Sequence, residues 1–161
     1  MHIEARRDGE ALARATRACD GGFLLGCRTL GWLYENGRGT TADLARARVL
    51  YGRGCDGGEM GSCKSLGVMW DMGRGGAVDR ARAAGLYERA CAADEMGACH
   101  NLANLLLGGD GVPRDLARAE RLYTRVCAGA PGSRACEHAR RLREARDGGT
   151  GAGGVEALGR R

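Results

Sequence analysis

Cys55-Asp56-Gly57-Gly58-Glu59-Met60-Gly61-Ser62-Cys63 is the stretch that decides the fold. Its two cysteines stand eight residues apart on either side of an Asp-Gly-Gly break. In one unbroken helix, eight residues rise roughly 12 Å, too far for a sulfur–sulfur bond. If the glycines end one helix and the next opens at once, an antiparallel hairpin brings both cysteines within bonding reach. The arrangement recurs along the chain. Cys19, Cys55, Cys91 and Cys127 lie 36 residues apart, Cys27, Cys63 and Cys99 keep that step, and Cys136 comes one residue late. A fixed period of this length marks stacked supersecondary units rather than one globular core.

The turn chemistry therefore predicts four local bridges: Cys19–Cys27, Cys55–Cys63, Cys91–Cys99 and Cys127–Cys136. Repeat symmetry leaves one other scheme, a set of longer links of the type Cys27–Cys55, which suits the glycine turns less well. Zinc is the competing use of such cysteines. Zinc sites favour about two to four residues between paired ligands, whereas seven intervene here and the chain has only three histidines. The redox motif Cys-x-x-Cys is absent as well. Structural staples are the expected role.

Other columns keep the same step. Gly37, Gly73 and Gly109 align, as do Gly39, Gly75 and Gly111, then Leu30, Leu66 and Leu102, and the tyrosines Tyr51, Tyr87 and Tyr123. Cys27, Leu30, Leu33 and Tyr34 form an apolar stripe at helical spacing, so a first helix is predicted over Leu24–Asn36. Gly37 suits the left-handed cap that ends it. Asp43 falls where an N-cap carboxylate is expected, opening a second helix that carries Ala47, Leu50, Tyr51 and Gly54 toward its neighbours. The pattern returns as Met60–Met72 with 79–92, and as 96–107 with 115–128. A polar closing helix is expected over 134–146. The expected organisation is a repeat solenoid over residues 1–146, with a truncated first unit and three full repeats, followed by a disordered glycine-rich tail over 147–161.

Composition narrows the function classes. The net charge is +5, and Lys64 is the only lysine. The arginines are spread among acidic residues, with no dense basic block, so nucleic-acid binding is not expected. No apolar run approaches the length of a membrane span. Eight paired cysteines suit an oxidising compartment, periplasmic or extracellular. No export signal is visible at the start. Because the repeat phase opens in mid-unit, a longer chain carrying the missing helix and a signal peptide is expected. Without such a signal the alternative is the cytoplasm.

Ala18-Cys19-Asp20-Gly21-Gly22, Cys99-His100-Asn101-Leu102, Gly109-Asp110-Gly111-Val112-Pro113-Arg114-Asp115 and Ala119-Glu120-Arg121-Leu122-Tyr123 resemble cysteine-bearing Sel1-like repeats. The resemblance covers roughly residues 3–146, and the relatives it suggests are the Helicobacter cysteine-rich secreted proteins and a mitochondrial respiratory-chain assembly factor. It implies an all-α, TPR-like α/α superhelix with one disulfide per repeat, and most often an adaptor that holds peptides or partner proteins. Some cysteine-rich members suggest a penicillin-binding protein with weak β-lactamase activity, and the mitochondrial relative suggests haem binding. This chain departs from the pattern in its truncated first unit and in the residue inserted before Cys136.

Candidate binding residues lie beside the apolar stripe of each first helix. Arg28, Trp32 and Glu35 share one face, followed by Lys64, Val68 and Asp71, then His100, Asn104 and Leu107. The leading row, Arg28, Lys64 and His100, reads as basic. In helical repeats such a face lines a concave groove for an extended or helical partner, with Trp32 as the anchor. The expected binding set is Arg28, Trp32, Glu35, Lys64, Val68, Asp71, His100 and Asn104. No catalytic residue is assigned. Ser-x-x-Lys is absent, and no Cys-x-x-Cys-His haem attachment occurs. No cofactor or metal is expected, and the chain is expected to be a monomeric, non-catalytic scaffold.

Overall fold

A computed structural model of the chain describes residues 2–148. Among the described residues there are eight helices and no strand: α1 (His2–Asp20), α2 (Leu24–Asn36), α3 (Leu44–Asp56), α4 (Met60–Met72), α5 (Arg80–Ala92), α6 (Met96–Gly108), α7 (Leu116–Gly129) and α8 (Arg134–Asp147). They fall into two compact units divided after Asp79, the first holding α1–α4 and the second α5–α8. Within each unit every helix packs on the one that follows it in sequence. The expected tail from residue 149 onward lies outside the described residues, while Asp147 still belongs to α8.

The helix boundaries follow from identifiable local chemistry. Asp43 caps α3 by accepting a hydrogen bond from the Arg46 amide at 2.8 Å, and Asp115 does the same for α7 through Arg118. Both carboxylates sit at the positive end of a helix, where they are favoured. At the end of α2, Gly37 adopts φ 63°, and at the end of α4, Gly73 adopts φ 66°. The next amide in each case bonds back five residues, Arg38 to the Leu33 carbonyl and Arg74 to the Met69 carbonyl.

The cysteine turns are closed twice over. Gly58 takes φ 99°, its amide donates to the Cys55 carbonyl at 3.0 Å, and the Glu59 amide donates to the Gly54 carbonyl at 2.9 Å. This pair of bonds is the Schellman closure, which satisfies carbonyls otherwise left open at a helix end. Gly22 and Phe23 repeat it on Cys19 and Ala18. In the third turn Asp94 occupies the glycine position at φ 65°, donating to Cys91 while Glu95 bonds Ala90. Asp tolerates this left-handed backbone better than most residues. Across these turns run the bridges Cys19–Cys27, Cys55–Cys63 and Cys91–Cys99, joined by Cys127–Cys136, with Cα–Cα separations of 4.4–4.7 Å. No bridge of the longer Cys27–Cys55 type is present. Closing so short a loop stabilises the fold by about 2–3 kcal/mol in the chain-entropy picture.

Small residues and a few large ones make up the interior. In the first unit Ala15, Cys19, Cys27, Leu30 and Leu33 form one buried cluster, and Ala47, Tyr51 and Met69 form another. The second unit buries Tyr87, Leu102, Leu105, Leu106, Tyr123 and Leu142. Backbones come close where glycine permits. Gly39, Gly75 and Gly111 all have positive φ. A Cβ at Gly75 would lie 2.6 Å from the Leu44 carbonyl oxygen, and one at Gly39 would meet the Asp8 carbonyl in the same way, one period earlier. The loop after each first helix thus rests directly on the backbone of the helix before it, at Asp8 within α1 and at the first residue of α3 and of α5.

Two expectations follow. Gly75→Ala should lower unfolding stability by about 1–2 kcal/mol from left-handed strain alone, with the carbonyl clash adding to it. Gly85→Ala, at an exposed helical site with nothing within 4 Å of the new methyl, should instead raise stability by about 0.5–1 kcal/mol; urea titration of both variants reads the contrast. Stepwise reduction should also be ordered. Cys127 and Cys136 are half-buried whereas the other six cysteines are buried, so limited dithiothreitol with alkylation and peptide mapping should label Cys127 and Cys136 first. Uniform labelling of all eight would contradict this.

Candidate functional site

The bridges set the register of the site. Cys27 and Cys63 are buried, so the residue after each, Arg28 on α2 and Lys64 on α4, emerges at the rim of the first unit. Between these helices stands Tyr51 of α3, whose ring is 2% exposed. Gly31 makes room for it, since a Cβ there would sit 2.9 Å from the ring. The Tyr51 hydroxyl donates to Glu35 Oε2 at 2.6 Å and accepts from the Ser65 hydroxyl. Arg74 pairs with the other Glu35 oxygen, Oε1. Burial, reinforced by the Glu35 carboxylate, pushes the Tyr51 phenol far above its ordinary range, so it keeps its proton.

Above this floor opens a cavity of about 370 Å³ lined by Arg28, Thr29, Trp32, Tyr51, Gly61, Lys64 and Ser65. Arg28 Nη1 donates to Glu59 Oε1 at 3.1 Å. Glu59 also caps α4, accepting from the Gly61 and Ser62 amides and from the Ser62 hydroxyl at 2.6 Å. Trp32 is 49% exposed at the edge of the cavity. The second tryptophan of the chain, Trp70, is instead covered by the Arg48 guanidinium, 3.6 Å from its ring centre.

The structure thus gathers Arg28, Trp32 and Lys64 around one cleft and places Glu35 beneath it as the partner of Tyr51. Val68 and Asp71, both half-buried on α4, do not line it. Tyr51, Ser65 and Gly61 contribute to the cleft although the sequence reading did not single them out as site residues. The Tyr51–Tyr87–Tyr123 column is the sequence signal for Tyr51, and in a helical repeat such a column reads equally as packing.

His100 and Asn104 belong to the second unit, where α6, α7 and α8 build a different cluster. Leu107, on the same predicted face, is buried there. The Tyr123 hydroxyl donates to Asn104 Oδ1 at 2.6 Å. The Tyr123 ring meets His138 edge-on at 4.8 Å and His100 at 5.6 Å, and the two imidazoles lie 6.3 Å apart. Burial is the main force depressing the basicity of His100, aided by His138 and Arg134. Burial also depresses His138, with Arg141 and Arg134 adding to it and Glu137 opposing. His138 Nδ1 is buried without a hydrogen-bond partner. The row Arg28, Lys64 and His100 is therefore cationic in its first two members, while the third is held toward neutrality by its surroundings. Among the described residues no group of three or more His, Cys, Asp or Glu side chains is arranged to hold a metal ion.

The histidine pair carries a pH dependence of definite sign. Folding lowers both imidazole pKa values below the ordinary 6.5, so the unfolded chain binds more protons as pH falls through that value. The contribution is fully present above about pH 6.5 and is lost progressively below it. The melting temperature should drop between pH 7.5 and pH 5, and less steeply in a His100→Gln, His138→Gln double variant. Equal slopes for the two proteins would contradict the assignment.

A family model for the Sel1 repeat matches residues 24–59, 62–95 and 97–129. Among solved structures the chain is similar to a protective antigen of uropathogenic Escherichia coli that displays an SLR fold, with 26% identity and a TM-score of 0.77, over 83% of this chain and 28% of that one. It is similar to a Sel1 repeat protein from Oxalobacter formigenes, with 22% identity and a TM-score of 0.73, over 88% of this chain and 55% of that one. It is also similar to Helicobacter pylori cysteine rich protein B, with 20% identity and a TM-score of 0.64, over 83% and 95% of the two chains. The chain therefore spans less than two thirds of the length of the first two. The last two likenesses speak to the fold alone. No curated protein sequence matches the chain.

Proposed function

The chain belongs to the Sel1 repeat family, and from that premise we propose that it is a non-catalytic scaffold that binds a protein or peptide partner. Its fold class is the all-α, disulfide-bearing repeat solenoid of that family, whose members typically mediate protein interactions. The observation that carries the proposal is the open cleft of the first unit. A half-exposed Trp32 stands there beside Arg28 and Lys64, and exposed tryptophan next to arginine is the composition of interaction hot spots. Phe23, Leu25, Val49, Met72 and Val78 are further exposed apolar side chains of the same unit, suited to a partner wider than a small molecule. Val68 and Asp71 of the same unit, and separately His100 and Asn104 of the second unit, are proposed as secondary contacts.

Hydrolysis of a β-lactam, the other activity that the resemblance raised, gains no support from the cleft. Ser65 donates its hydroxyl hydrogen to Tyr51, and Tyr51 retains its own proton toward Glu35. A serine nucleophile needs a neighbouring base that accepts its proton, and Tyr51 is not poised to be one. Four bridges within one chain favour an oxidising setting, so the scaffold is proposed to act as a monomer in the periplasm or outside the cell. No helix among the described residues is long and apolar enough to cross a membrane.

The test uses oxidised protein as bait, followed by binding measurements on the purified pair. Trp32→Ala should weaken that pair by about 30-fold, the loss expected of a hot-spot residue, while leaving the melting curve unchanged. A partner held with equal affinity by both forms would remove the cleft from the interface. Turnover of a chromogenic β-lactam by the native protein but not by the denatured one would overturn the non-catalytic reading.

A further inference from the structure

The fourth bridge, Cys127–Cys136, has surroundings unlike those of the other three. We propose that it is a site of thiol–disulfide exchange, at which a small thiol carrying a carboxylate attacks Cys136 and forms a mixed disulfide within a cavity of the second unit. The site is independent of the first unit's cleft. Three observations carry it.

The first is access. The other six cysteines are at most 4% exposed, whereas Cys127 and Cys136 are half-buried. Exchange requires an incoming thiolate to reach a sulfur. Cys136 lines a cavity of about 360 Å³ together with Gly132, Ser133, Arg134, Glu137 and Arg140. Cys127 does not line it, so the open approach leads to Cys136. The volume is at the small end of ligand sites, which run from roughly 300 to 1,000 Å³, and suits a small thiol better than a protein one.

The second is the turn. In the first three bridges the sulfur of the second cysteine rests against the carbonyl of the first, at 3.6–3.7 Å. There the amide four residues after the first cysteine, from Phe23, Glu59 or Glu95, makes one of the two closing bonds. In the fourth turn that position is Pro131, which has no amide hydrogen to donate. The Ala130 amide donates to the Val126 carbonyl instead, and the Ser133 amide to the Ala130 carbonyl. Cys136 Sγ lies beside the Ala130 carbonyl at 3.8 Å and the Ser133 hydroxyl at 3.9 Å, turned toward the loop that borders the cavity. The helix α8 has other attachments. Ala135, Ala139 and Leu142 are buried, and Arg143 and Arg146 pair with Glu120. The bridge can therefore open while α8 stays docked.

The third is charge. Glu137 is the one acid lining the cavity, and it is paired with Arg141. Arg140 shares Glu144, and Arg134 makes no ion pair among the described residues. The cavity also lies at the first turn of α8, the positive end of that helix. A carboxylate on the incoming thiol is favoured there.

The step balances without a further reagent. The small thiolate attacks Cys136 Sγ, the bond to Cys127 breaks, and the electron pair leaves on Cys127, which takes a proton from solvent. Attack by Cys127 on Cys136 then expels the small thiol and restores the bridge.

The experiment incubates oxidised protein with 3-mercaptopropionate or with neutral 2-mercaptoethanol at equal thiolate concentration, traps with N-ethylmaleimide and maps the products by mass spectrometry. A single adduct on Cys136 is expected, with the maleimide on Cys127. The acidic thiol should react about threefold faster at low salt, the size expected of an exposed ion pair. Arg134→Gln should remove that preference, and about 0.5 M salt should reduce it. Cys127→Ser cannot close the bridge again, so it decides the case where the native protein recloses before trapping. Its Cys136 should react with the symmetrical disulfide of 3-mercaptopropionate about threefold faster than with that of 2-mercaptoethanol. Adducts spread over several bridges, an adduct on Cys127, or equal rates for acidic and neutral reagents in Cys127→Ser would overturn the proposal.

Discussion

A covalent link between the end of one helix and the start of the next is the constraint on which the remaining structure depends. At each glycine turn the Schellman bonds satisfy the terminal carbonyls, and the adjacent bridge holds the two helix ends within 4.7 Å. Neither device would suffice by itself. Aromatics make up 4% of the chain, and much of the buried surface comes from alanine, cysteine and glycine. Such side chains bury little apolar area, and the hydrophobic term scales with that area. Limiting the freedom of the unfolded chain by about 2–3 kcal/mol per bridge offsets what a thin interior does not provide.

The same constraint determines which side chains reach the rim. Because Cys27 and Cys63 point into the interior, the residue after each turns toward the rim, and α2 and α4 carry their cations to one cleft. Small residues then set the spacing. Gly31 admits the Tyr51 ring, and Gly54 lies where a Cβ would strike Ser62. Larger residues at either position would push the helices apart and separate Arg28 from Lys64. Stability and binding geometry are therefore linked through the same short contacts.

The architecture was legible in the sequence because it rests on residues with few alternative uses. Cysteine pairs, left-handed glycines and N-cap aspartates each restrict the backbone locally, and their period marks every helix boundary within a residue or two. The site was legible only in part. Arg28, Trp32 and Lys64 could be found by counting from the cysteines. Tyr51 could not be separated from a packing residue, since its hydroxyl acquires its role only once Glu35 and Ser65 converge on it. Gly61 matters only because a guanidinium from another helix crosses it. His100 looked like a third cation by its column, yet its charge depends on burial and on His138. Counted from the second cysteine, the column that holds His100 holds Glu137 in the last unit, and His138 falls one place beyond it.

One repeated scaffold thus yields two different chemistries. At Tyr51 the side chains following the second cysteines are Arg28 and Lys64, two cations, the first paired with Glu59. At Tyr123 the neighbours are two imidazoles that burial drives toward the neutral form, with Arg134 and Arg141 adding to the effect. The backbone is nearly the same in both places, so the contrast comes from a handful of side chains in equivalent columns. Both tyrosines have their pKa raised by burial, and each donates its hydroxyl hydrogen to a first-helix side chain, Glu35 or Asn104. Tyrosines locked in this way fix the distance between helices and supply no base. Rigid tyrosine floors with variable rims suit the proposed binding role, since the rim can change its charge without disturbing the helices beneath.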